Sequence, residues 1–489
     1  MKSLAKALAF FSGAQFVTML VQLGKGKLGA LILGPAGVGV LSQLTYMWNL
    51  FHTMTGLGFQ NGLIRRVAQC ESDGDFDGLR AQLSTTIGLL TLVSVAFAIL
   101  GAVFSSRISD LLLSDGGDHA TLVAVILVSL PLAINARIFR GVLSGLKKVK
   151  QIVRAQIVAD VLSFFVFLVL VWKLNLTGAV ISFVALQTLK LGFYFTQFKI
   201  AVTPFQPVFR PSYFSTAEIH HNASYGISGL LLVSVGIVTT LTISRWIIEQ
   251  YGLADNGVFA VSWKVVTVYL GTLYASAGSY YFPLLASIQN DKELATQVNE
   301  AVKLYMYLIP LASAFLLLGG EFLFVVLFSS EFGYAAMLLF FLLPGDLFRI
   351  CAETTGLSLL ARKRLVSYSA VYLIWAACFL LLAWKLLPEY GLLGVAFAYL
   401  SSQVLNMCMA LILVSKELSV KLTSRTILAF FRGLILLASI SLVSWFARDH
   451  LNVVFAGVFL IALWLLASFR DDSFRQLAKS GFQRVKRNG

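Results

Sequence analysis

Charged residues are scarce in this chain. Asp, Glu, Lys and Arg make up 12% of its 489 residues, whereas soluble proteins carry roughly 25%. With 58% hydrophobic residues and a mean hydropathy of +0.83, the chain has too little polar surface to be covered by water. The composition therefore excludes a soluble enzyme, and it also excludes a disordered or fibrous protein. The exterior of the folded chain must face a lipid bilayer.

Cysteine pairs and catalytic motifs are lacking as well. The four cysteines form no Cys-x-x-Cys pair, so we expect neither a disulfide framework nor a metal site; they are Cys70, Cys351, Cys378 and Cys408. The sequence contains no Walker loop, no Gly-x-Ser-x-Gly and no His-Glu-x-x-His. We therefore predict that the chain is not an enzyme, that it needs no cofactor, and that it does not use nucleotide hydrolysis to drive transport.

Long apolar runs are abundant. Most are at least about 20 residues long, the length that crosses a bilayer as a helix, and they lack the alternation of barrel strands. Fourteen such spans are predicted, at 4–33, 40–64, 82–104, 119–144, 151–172, 178–199, 218–247, 257–288, 297–327, 334–361, 365–387, 391–415, 426–447 and 453–469. We therefore predict an all-α polytopic membrane protein with fourteen transmembrane helices, the first of them an uncleaved N-terminal span.

The placement of positive charge supports this count. The chain has 38 Lys and Arg against 23 Asp and Glu, a net charge of +15. With the N-terminus in the cytoplasm, 24 of the 38 fall in cytoplasmic connections, 5 at external ends and 9 within spans. This bias is the one that orients membrane proteins. We therefore expect both termini in the cytoplasm, and we do not interpret the positive charge as a sign of nucleic-acid binding.

A weak internal repeat relates two halves of six spans each. Its four matches are Gly37–Ser42 with Gly257–Ser262, Gly178–Val180 with Gly394–Ala396, Phe139-Arg140 with Phe348-Arg349, and Trp172-Lys173 with Trp384-Lys385. Because six is even, both halves have the same orientation, as in transporters built from parallel repeats. The predicted organisation is an N-terminal lobe over 1–199, a linker over 200–217, a C-terminal lobe over 218–415, and two further helices with a basic cytoplasmic tail over 416–489.

Charges inside spans are the candidates for function. Each Lys or Arg at mid-bilayer costs roughly 2.5–3.5 kcal/mol, so it must line water, form an ion pair or extend to the interface. The candidate substrate-binding residues are Lys25 and Lys27 in the first span, Arg137 and Arg140 in the fourth, Lys264 in the eighth, and Asp346, Arg349 and Glu353 in the tenth. Asp160 and Lys303 are weaker candidates. Because this set is mostly positive, it suits an anionic cargo such as a lipid-linked pyrophosphate.

Helical spacing separates two of these groups. Lys25 and Lys27 point about 200° apart, so at most one of them can face a central cavity squarely, and either could instead extend to the interface. Arg137 and Arg140 share a face, where they could bind cargo or contact lipid head groups.

The tenth span carries the third group. Asp346, Arg349 and Glu353 share one helix face. They could form a self-neutralising ion pair, or they could hold an arginine that points into a cavity. The spacing alone leaves both interpretations open.

Several short motifs resemble the Wzx-type flippases of the polysaccharide-transport branch of the MOP superfamily. The matching residues are Gly26-Lys27-Leu28, Gly34–Gly39, Asn61-Gly62, Val67-Ala68 and Gly345-Asp346. The resemblance implies two pseudo-symmetric six-helix lobes plus two C-terminal helices, working by alternating access. It also implies flipping of an undecaprenyl-pyrophosphate-linked oligosaccharide, such as an O-antigen unit, across the bacterial inner membrane. Lys27 and Asp346 fall on matching positions.

The partners that follow from this resemblance are the lipid-linked oligosaccharide, membrane lipids, and the polymerase and chain-length proteins of surface-glycan assembly, without nucleic acid. Two alternatives stay open. The MATE drug exporters share the fold, but many carry an essential carboxylate in the first span, which here has none. A membrane scaffold of a glycan-assembly complex is the other alternative, although a scaffold has no reason to bury unpaired charge.

Overall fold

A computed structural model describes residues 2–114, 118–202, 211–224, 227–270, 281–446, 450–469, 471 and 474. Every regular element in these residues is helical. Part of the predicted linker over 200–217 and most of the basic tail lie outside the described residues.

Fifteen α-helices are present in the described residues. They are α1 (Lys2–Thr55), α2 (Phe59–Asp73), α3 (Phe76–Val103), α4 (Ser105–Leu113), α5 (Ala120–Val128), α6 (Leu130–Gly145), α7 (Val149–Val202), α8 (Thr216–Ser224), α9 (Ile227–Tyr251), α10 (Leu253–Lys264), α11 (Asp291–Leu327), α12 (Ala335–Ala361), α13 (Leu365–Leu418), α14 (Ser424–Phe446) and α15 (His450–Ser468). Nine helical segments, one of which joins α5 and α6, are long and apolar enough to cross a bilayer, and α15 contains a shorter apolar helix.

Three of these segments are long enough for two spans. Helices α7 and α13 each contain two predicted spans, and α1 contains the first and most of the second, 40–64, which runs past Thr55. Each is 54 residues long, which would be about 80 Å if straight and far exceeds a bilayer core of about 30 Å. Each is interrupted by one residue with a non-helical backbone: Gly34, Asn175 and Gly391 respectively. Counted as two spans each, these three raise the nine segments to twelve crossings, and α15 holds the predicted last span. The eighth predicted span, 257–288, begins within α10, but residues 271–280 lie outside the described residues. The predicted fold class is confirmed.

The chain reverses direction at two of these interruptions. A Cβ atom at Gly178 would lie 1.9 Å from the carbonyl oxygen of Leu170, and one at Gly394 would lie 2.2 Å from that of Leu386. Residues eight apart in a straight helix are about 12 Å apart, so both segments are hairpins. The two contacts are equivalent in the predicted repeat, and at both positions only glycine leaves room for the opposing backbone.

Backbone contacts group the chain into two compact units. Unit 1 comprises Met1–Gly257 with Leu327–Ser329, and unit 2 comprises Val258–Val326 with Ser330–Gly489. The predicted lobes divide earlier, within 200–217, and those functional boundaries stay a prediction.

Helix α9 belongs to unit 1 because it packs along α1. At the junction that follows α9, Asn256 Nδ2 donates to the carbonyl oxygen of Gly39 over 3.0 Å. A Cβ atom at Gly39 would lie 2.0 Å from the carbonyl oxygen of Leu253, so this approach requires glycine.

Helix α8, at the end of the predicted linker, is attached to α2 and α3 by polar contacts. Arg66 donates through Nε and Nη2 to Glu218 Oε1 over 3.0 and 2.9 Å. The side-chain amides of Gln82 and Asn222 donate to each other over 3.2 and 3.3 Å. The hydrogen bond to Glu218 is the main reason why the pKa of Arg66 lies above its ordinary value. The linker is thus anchored to the first unit at its C-terminal end.

In unit 2 the two C-terminal helices pack on α11. A Cβ atom at Gly433 of α14 would lie 2.6 Å from the Pro310 ring, and one at Gly457 of α15 would lie 2.0 Å from the Leu318 side chain. Small residues on α14 and α15 therefore allow close packing, as is common between membrane helices.

Candidate functional site

A buried carboxylate organises a polar site inside unit 1. Asp160 of α7 is 4% exposed. Its Oδ2 accepts a hydrogen bond from Thr18 Oγ1 over 2.7 Å, and its Oδ1 lies 3.5 Å from Lys190 Nζ. One turn further along α7, Ser163 Oγ accepts from Lys25 Nζ over 2.8 Å. We call these residues, Thr18, Lys25, Asp160, Ser163 and Lys190, the Asp160 site.

The local geometry follows from the hairpin in α7. Asp160 and Lys190 are each fifteen residues from Asn175, so reversal of the chain there places the two residues opposite each other. Lys25 comes from α1, where its ammonium group also lies 5.7 Å from the centre of the Phe167 ring. The site therefore contains two ammonium groups and one carboxylate, surrounded by apolar helices.

The sequence alone does not single out Lys190. It is one of nine Lys and Arg residues within spans, and nothing in its neighbourhood along the chain marks it. The available signal is its symmetry with Asp160 about the predicted turn between the fifth and sixth spans. That signal becomes useful only when the turn residue is known.

The two arginines of α6 lie elsewhere in unit 1. Arg137 Nε donates to Gln60 Oε1 over 2.9 Å, and its Nη1 lies 2.7 Å from where a Cβ atom at Gly56 would be, at the turn between α1 and α2. Arg140 is exposed. It interacts electrostatically with the hydroxyl group of Tyr194, as Asp160 does. Arg137 thus lies at a helix turn, whereas Arg140 is exposed and shares Tyr194 as an electrostatic neighbour with Asp160.

The remaining lysine candidates lie on three different helices. Lys27 is half-buried on α1, two residues beyond Lys25. Lys264 is half-buried at the end of α10, where a π-helical segment, Val265–Leu270, begins. Such segments often occur at functional sites. Lys303 forms an ion pair of 2.6 Å with Glu300 along α11.

The three charged residues of α12 are in contact, as their spacing suggested. Arg349 Nε donates to Asp346 Oδ1 over 2.5 Å, and its Nη1 donates to Glu353 Oε1 over 3.1 Å. Tyr399 of α13 donates to the same oxygen of Asp346 over 3.4 Å. Asp346 is completely buried, whereas the side chain of Glu353 is 30% exposed. Whether this group binds cargo stays a prediction.

No metal site appears beside these groups. In the ranges that the structure describes, no three His, Cys, Asp or Glu side chains come together as a metal ion requires. The polar groups that do come together are ammonium, guanidinium, carboxylate and hydroxyl groups. They can bind charged or hydroxylated molecules.

The sequence is similar to known flippases. The MatE family model matches residues 8–169. The lipid III flippase of Escherichia coli (strain K12) is 22% identical over 416 residues, covering 82% of this chain and 96% of that protein. A proposed O-antigen transporter of Shigella flexneri is 22% identical over 381 residues, covering 75% of this chain and 87% of that protein. These relatives are transporters, which confirms the expectation that the chain is not an enzyme.

Solved structures share the fold. The lipid II flippase MurJ in an inward closed conformation matches with a TM-score of 0.73 and 16% identity, covering 94% of this chain and 99% of that one. An inward-facing multidrug resistance MATE family transporter of the MOP superfamily matches with a TM-score of 0.71 and 13% identity, covering 84% and 98%. At these identities the likeness concerns the fold.

Proposed function

We propose that this chain is a membrane flippase of the MOP superfamily and that it moves an undecaprenyl-pyrophosphate-linked oligosaccharide. The direction is from the cytoplasmic to the periplasmic leaflet of the bacterial inner membrane. Both termini lie in the cytoplasm, as the charge distribution predicts. The cargo then becomes available to the polymerase and chain-length proteins of surface-glycan assembly. Transport proceeds by alternating access of the two predicted lobes.

The observation that carries this proposal is the excess of positive charge in the Asp160 site. The two positive charges of Lys25 and Lys190 exceed the single negative charge of Asp160, and the site lies among apolar membrane-spanning helices. Ammonium groups in such a place are costly unless an anion compensates them. A pyrophosphate supplies that charge, while the prenyl chain of the cargo stays in the bilayer.

Asp160 gives the site a way to release its cargo. In the structure its carboxylate lies beside Lys190 and interacts electrostatically with Lys25. A bound pyrophosphate competes with this internal anion for both lysines. When the cargo leaves, Asp160 remains as the counter-ion, so the empty site does not hold two uncompensated charges.

The same charge balance argues against an exporter of organic cations. A cation entering the Asp160 site meets two lysines around one carboxylate. The first span contains no Asp or Glu that could bind the cation instead of the Asp160 site. A scaffold without transport activity would gain nothing from the buried lysines, since each of them opposes membrane insertion.

A binding experiment tests the proposal. The purified protein in detergent should melt at a higher temperature when undecaprenyl pyrophosphate is added, because a ligand that binds only the folded state stabilises it. Lys25→Ala and Lys190→Ala should each reduce this stabilisation strongly. Lys173→Ala is the matched control, because Lys173 is an exposed lysine of the same helix α7.

Three outcomes decide the result. Stabilisation by the pyrophosphate lipid, and loss of it in both site variants but not in the control, supports the proposal. Equal stabilisation by undecaprenol shows that only the prenyl chain is recognised and overturns it. Stabilisation by the organic cation ethidium, without any effect of the pyrophosphate lipid, favours the cation exporter.

A further inference from the structure

Glu353 lies among three tyrosines from two neighbouring helices of unit 2. Tyr305 comes from α11, and Tyr368 and Tyr372 come from the first part of α13. A Cβ atom at Gly356, three residues beyond Glu353 on α12, would lie 3.5 Å from the Tyr368 ring. The hydroxyl groups of all three tyrosines are close enough to interact electrostatically with the carboxylate of Glu353. The ring of Tyr372 packs against Trp375, with 5.1 Å between ring centres. We call this group the Glu353 cluster.

Three of the four members of the Glu353 cluster are accessible. Glu353, Tyr368 and Tyr372 are each partly exposed, whereas Tyr305 is 2% exposed and the neighbouring Asp346 is completely buried. Arg349 occupies one oxygen of Glu353, and no other residue in the described part of the chain donates a hydrogen bond to this carboxylate. The cluster therefore presents a carboxylate oxygen that is available for a hydrogen bond, beside tyrosine hydroxyl groups.

Several buried polar atoms near the cluster have no hydrogen-bond partner in the residues that the structure describes. Arg349 Nη2 and Trp375 Nε1 are buried donors without a hydrogen-bond partner in the residues that the structure describes. Asp346 Oδ2 is a buried acceptor that likewise has no hydrogen-bond partner in those residues. Buried polar groups are normally satisfied, and each unsatisfied one costs about 1–3 kcal/mol. Unsatisfied hydrogen-bond donors near an accessible carboxylate indicate a ligand that can both donate and accept hydrogen bonds.

The charge of the group restricts the ligand further. The group contains one guanidinium, of Arg349, and two carboxylates, of Asp346 and Glu353. When both acids are ionised, its net charge is negative and it repels a phosphate. Arg349 lies between the two carboxylates, which disfavours an organic cation. A neutral ligand with several hydroxyl groups fits both conditions.

We infer that the Glu353 cluster binds a sugar ring of the cargo. Sugar hydroxyl groups donate to the carboxylate of Glu353 and accept from Arg349, Tyr368 and Tyr372, and the apolar face of the ring packs on Tyr372 or Tyr368. This inference rests on the proposed function and assigns the sugar to residues distinct from the Asp160 site. Arg349, which the sequence suggested as a ligand for pyrophosphate, then serves the sugar.

The test compares two lipids on one protein. The dissociation constants of the purified protein are measured for undecaprenyl pyrophosphate and for the same lipid carrying the oligosaccharide of the native host. The wild type should bind the sugar-bearing lipid about tenfold more tightly, the magnitude of one or two hydrogen bonds to a charged group. Glu353→Gln and Tyr372→Phe should each bring the ratio of the two dissociation constants towards one. This expectation holds even if a variant also changes the affinity for the lipid without sugar.

Tyr390→Phe serves as the matched control, because Tyr390 lies on the same helix and its side chain is 62% exposed away from the cluster. It should keep the wild-type ratio. A wild type that binds neither lipid refutes the proposed function itself. A wild type that binds both lipids equally, or cluster variants that keep the full ratio, refutes the sugar site alone. Displacement of the sugar-bearing lipid by tetraphenylphosphonium in the wild type but not in Glu353→Gln would show a cation site instead.

Discussion

Asn175 and Gly391 are separated by 216 residues and reverse the chain in the same way. Asn175 has φ 48° and ψ −126°, and Gly391 has φ 59° and ψ −144°. Both lie within 54-residue helical segments, and both precede by three residues a glycine that contacts the opposing backbone. The internal repeat is therefore strongest where two spans meet at a tight turn.

This pair predicts opposite effects of two substitutions. Asn175→Gly should stabilise the protein by about 1 kcal/mol, because a left-handed backbone costs a residue with a Cβ atom about 1–2 kcal/mol. Gly391→Ala should destabilise it by a similar amount for the same reason. Thermal melting in detergent, followed by tryptophan fluorescence, checks both signs. Shifts in the same direction for the two variants would contradict the shared turn.

Lys27 is predicted to contact the phosphates of the cargo during transport. It lies two residues beyond Lys25, about 200° around α1, and so adds positive charge to another face of that helix. In the native host with its own gene deleted, Lys27→Ala should fail to restore the surface glycan. Lys27→Arg should restore part of it, because the charge persists while the shape changes.

The amount of Lys27→Ala protein in the membrane should not fall, since removal of a charge within a span favours insertion. An immunoblot against the wild type checks this point. Lys385→Ala, at an exposed position, should restore the glycan fully and serves as control. Full activity of Lys27→Ala would show that this lysine only extends to the interface.

Arg349 is predicted to be the least replaceable residue of its group. Arg349→Met leaves Asp346 and Glu353 without their shared partner, and loss of one member of a buried ion pair costs about 3–5 kcal/mol. Arg349→Glu should cost still more, because three acids then share one helix face. Asp346→Asn and Glu353→Gln should each cost less, since the amide can still accept from the guanidinium. Melting temperatures of the four variants give the order, and equal values would contradict it.

The orientation is predicted to place Ser72 in the cytoplasm and Ser114 outside. Both are exposed serines at helix ends, so Ser72→Cys and Ser114→Cys form a matched pair. In a background without native cysteines, a membrane-impermeant maleimide applied to whole cells should label Ser114→Cys only. Labelling of Ser72→Cys in intact cells would invert the topology.

The native Cys70 should react slowly even in open membranes. Its side chain is 1% exposed. Burial is also the main cause that raises the pKa of its thiol above the ordinary value. A raised pKa leaves less thiolate at neutral pH, and the thiolate is the reactive form.

The ion pair between Arg66 and Glu218 is predicted to hold α8 against α2. Glu218→Gln should destabilise the protein by about 1 kcal/mol, because the amide oxygen can still accept from Arg66 but the negative charge that strengthens this hydrogen bond is lost. The exchange Arg66→Glu with Glu218→Arg should recover part of that loss, because the opposite charges are restored. Limited proteolysis of the preceding linker, compared across the variants, measures how firmly α8 is held. Unchanged cleavage in Glu218→Gln would show that the hydrogen bonds between Asn222 and Gln82 are sufficient to hold α8 in place.

Helix spacing is sufficient to predict the contacts within α12. Asp346, Arg349 and Glu353 are three and four residues apart, and such residues meet on any α-helix. The number of spans is likewise predictable, because bilayer thickness sets a fixed length for each apolar run. The sequence could not show that Tyr399 of α13 also donates to Asp346, because that contact depends on how α13 packs on α12.

Composition, spans and the internal repeat were thus readable from the amino-acid sequence, because each depends on short-range geometry or on the bilayer as solvent. The Asp160 site was not, because its members are separated by up to 172 positions along the chain. Asp160 meets Lys190 only because the hairpin turns at Asn175, and it meets Thr18 only because α1 packs on α7. The tertiary structure alone decided these partners, since polar contacts between helices depend on which faces pack together.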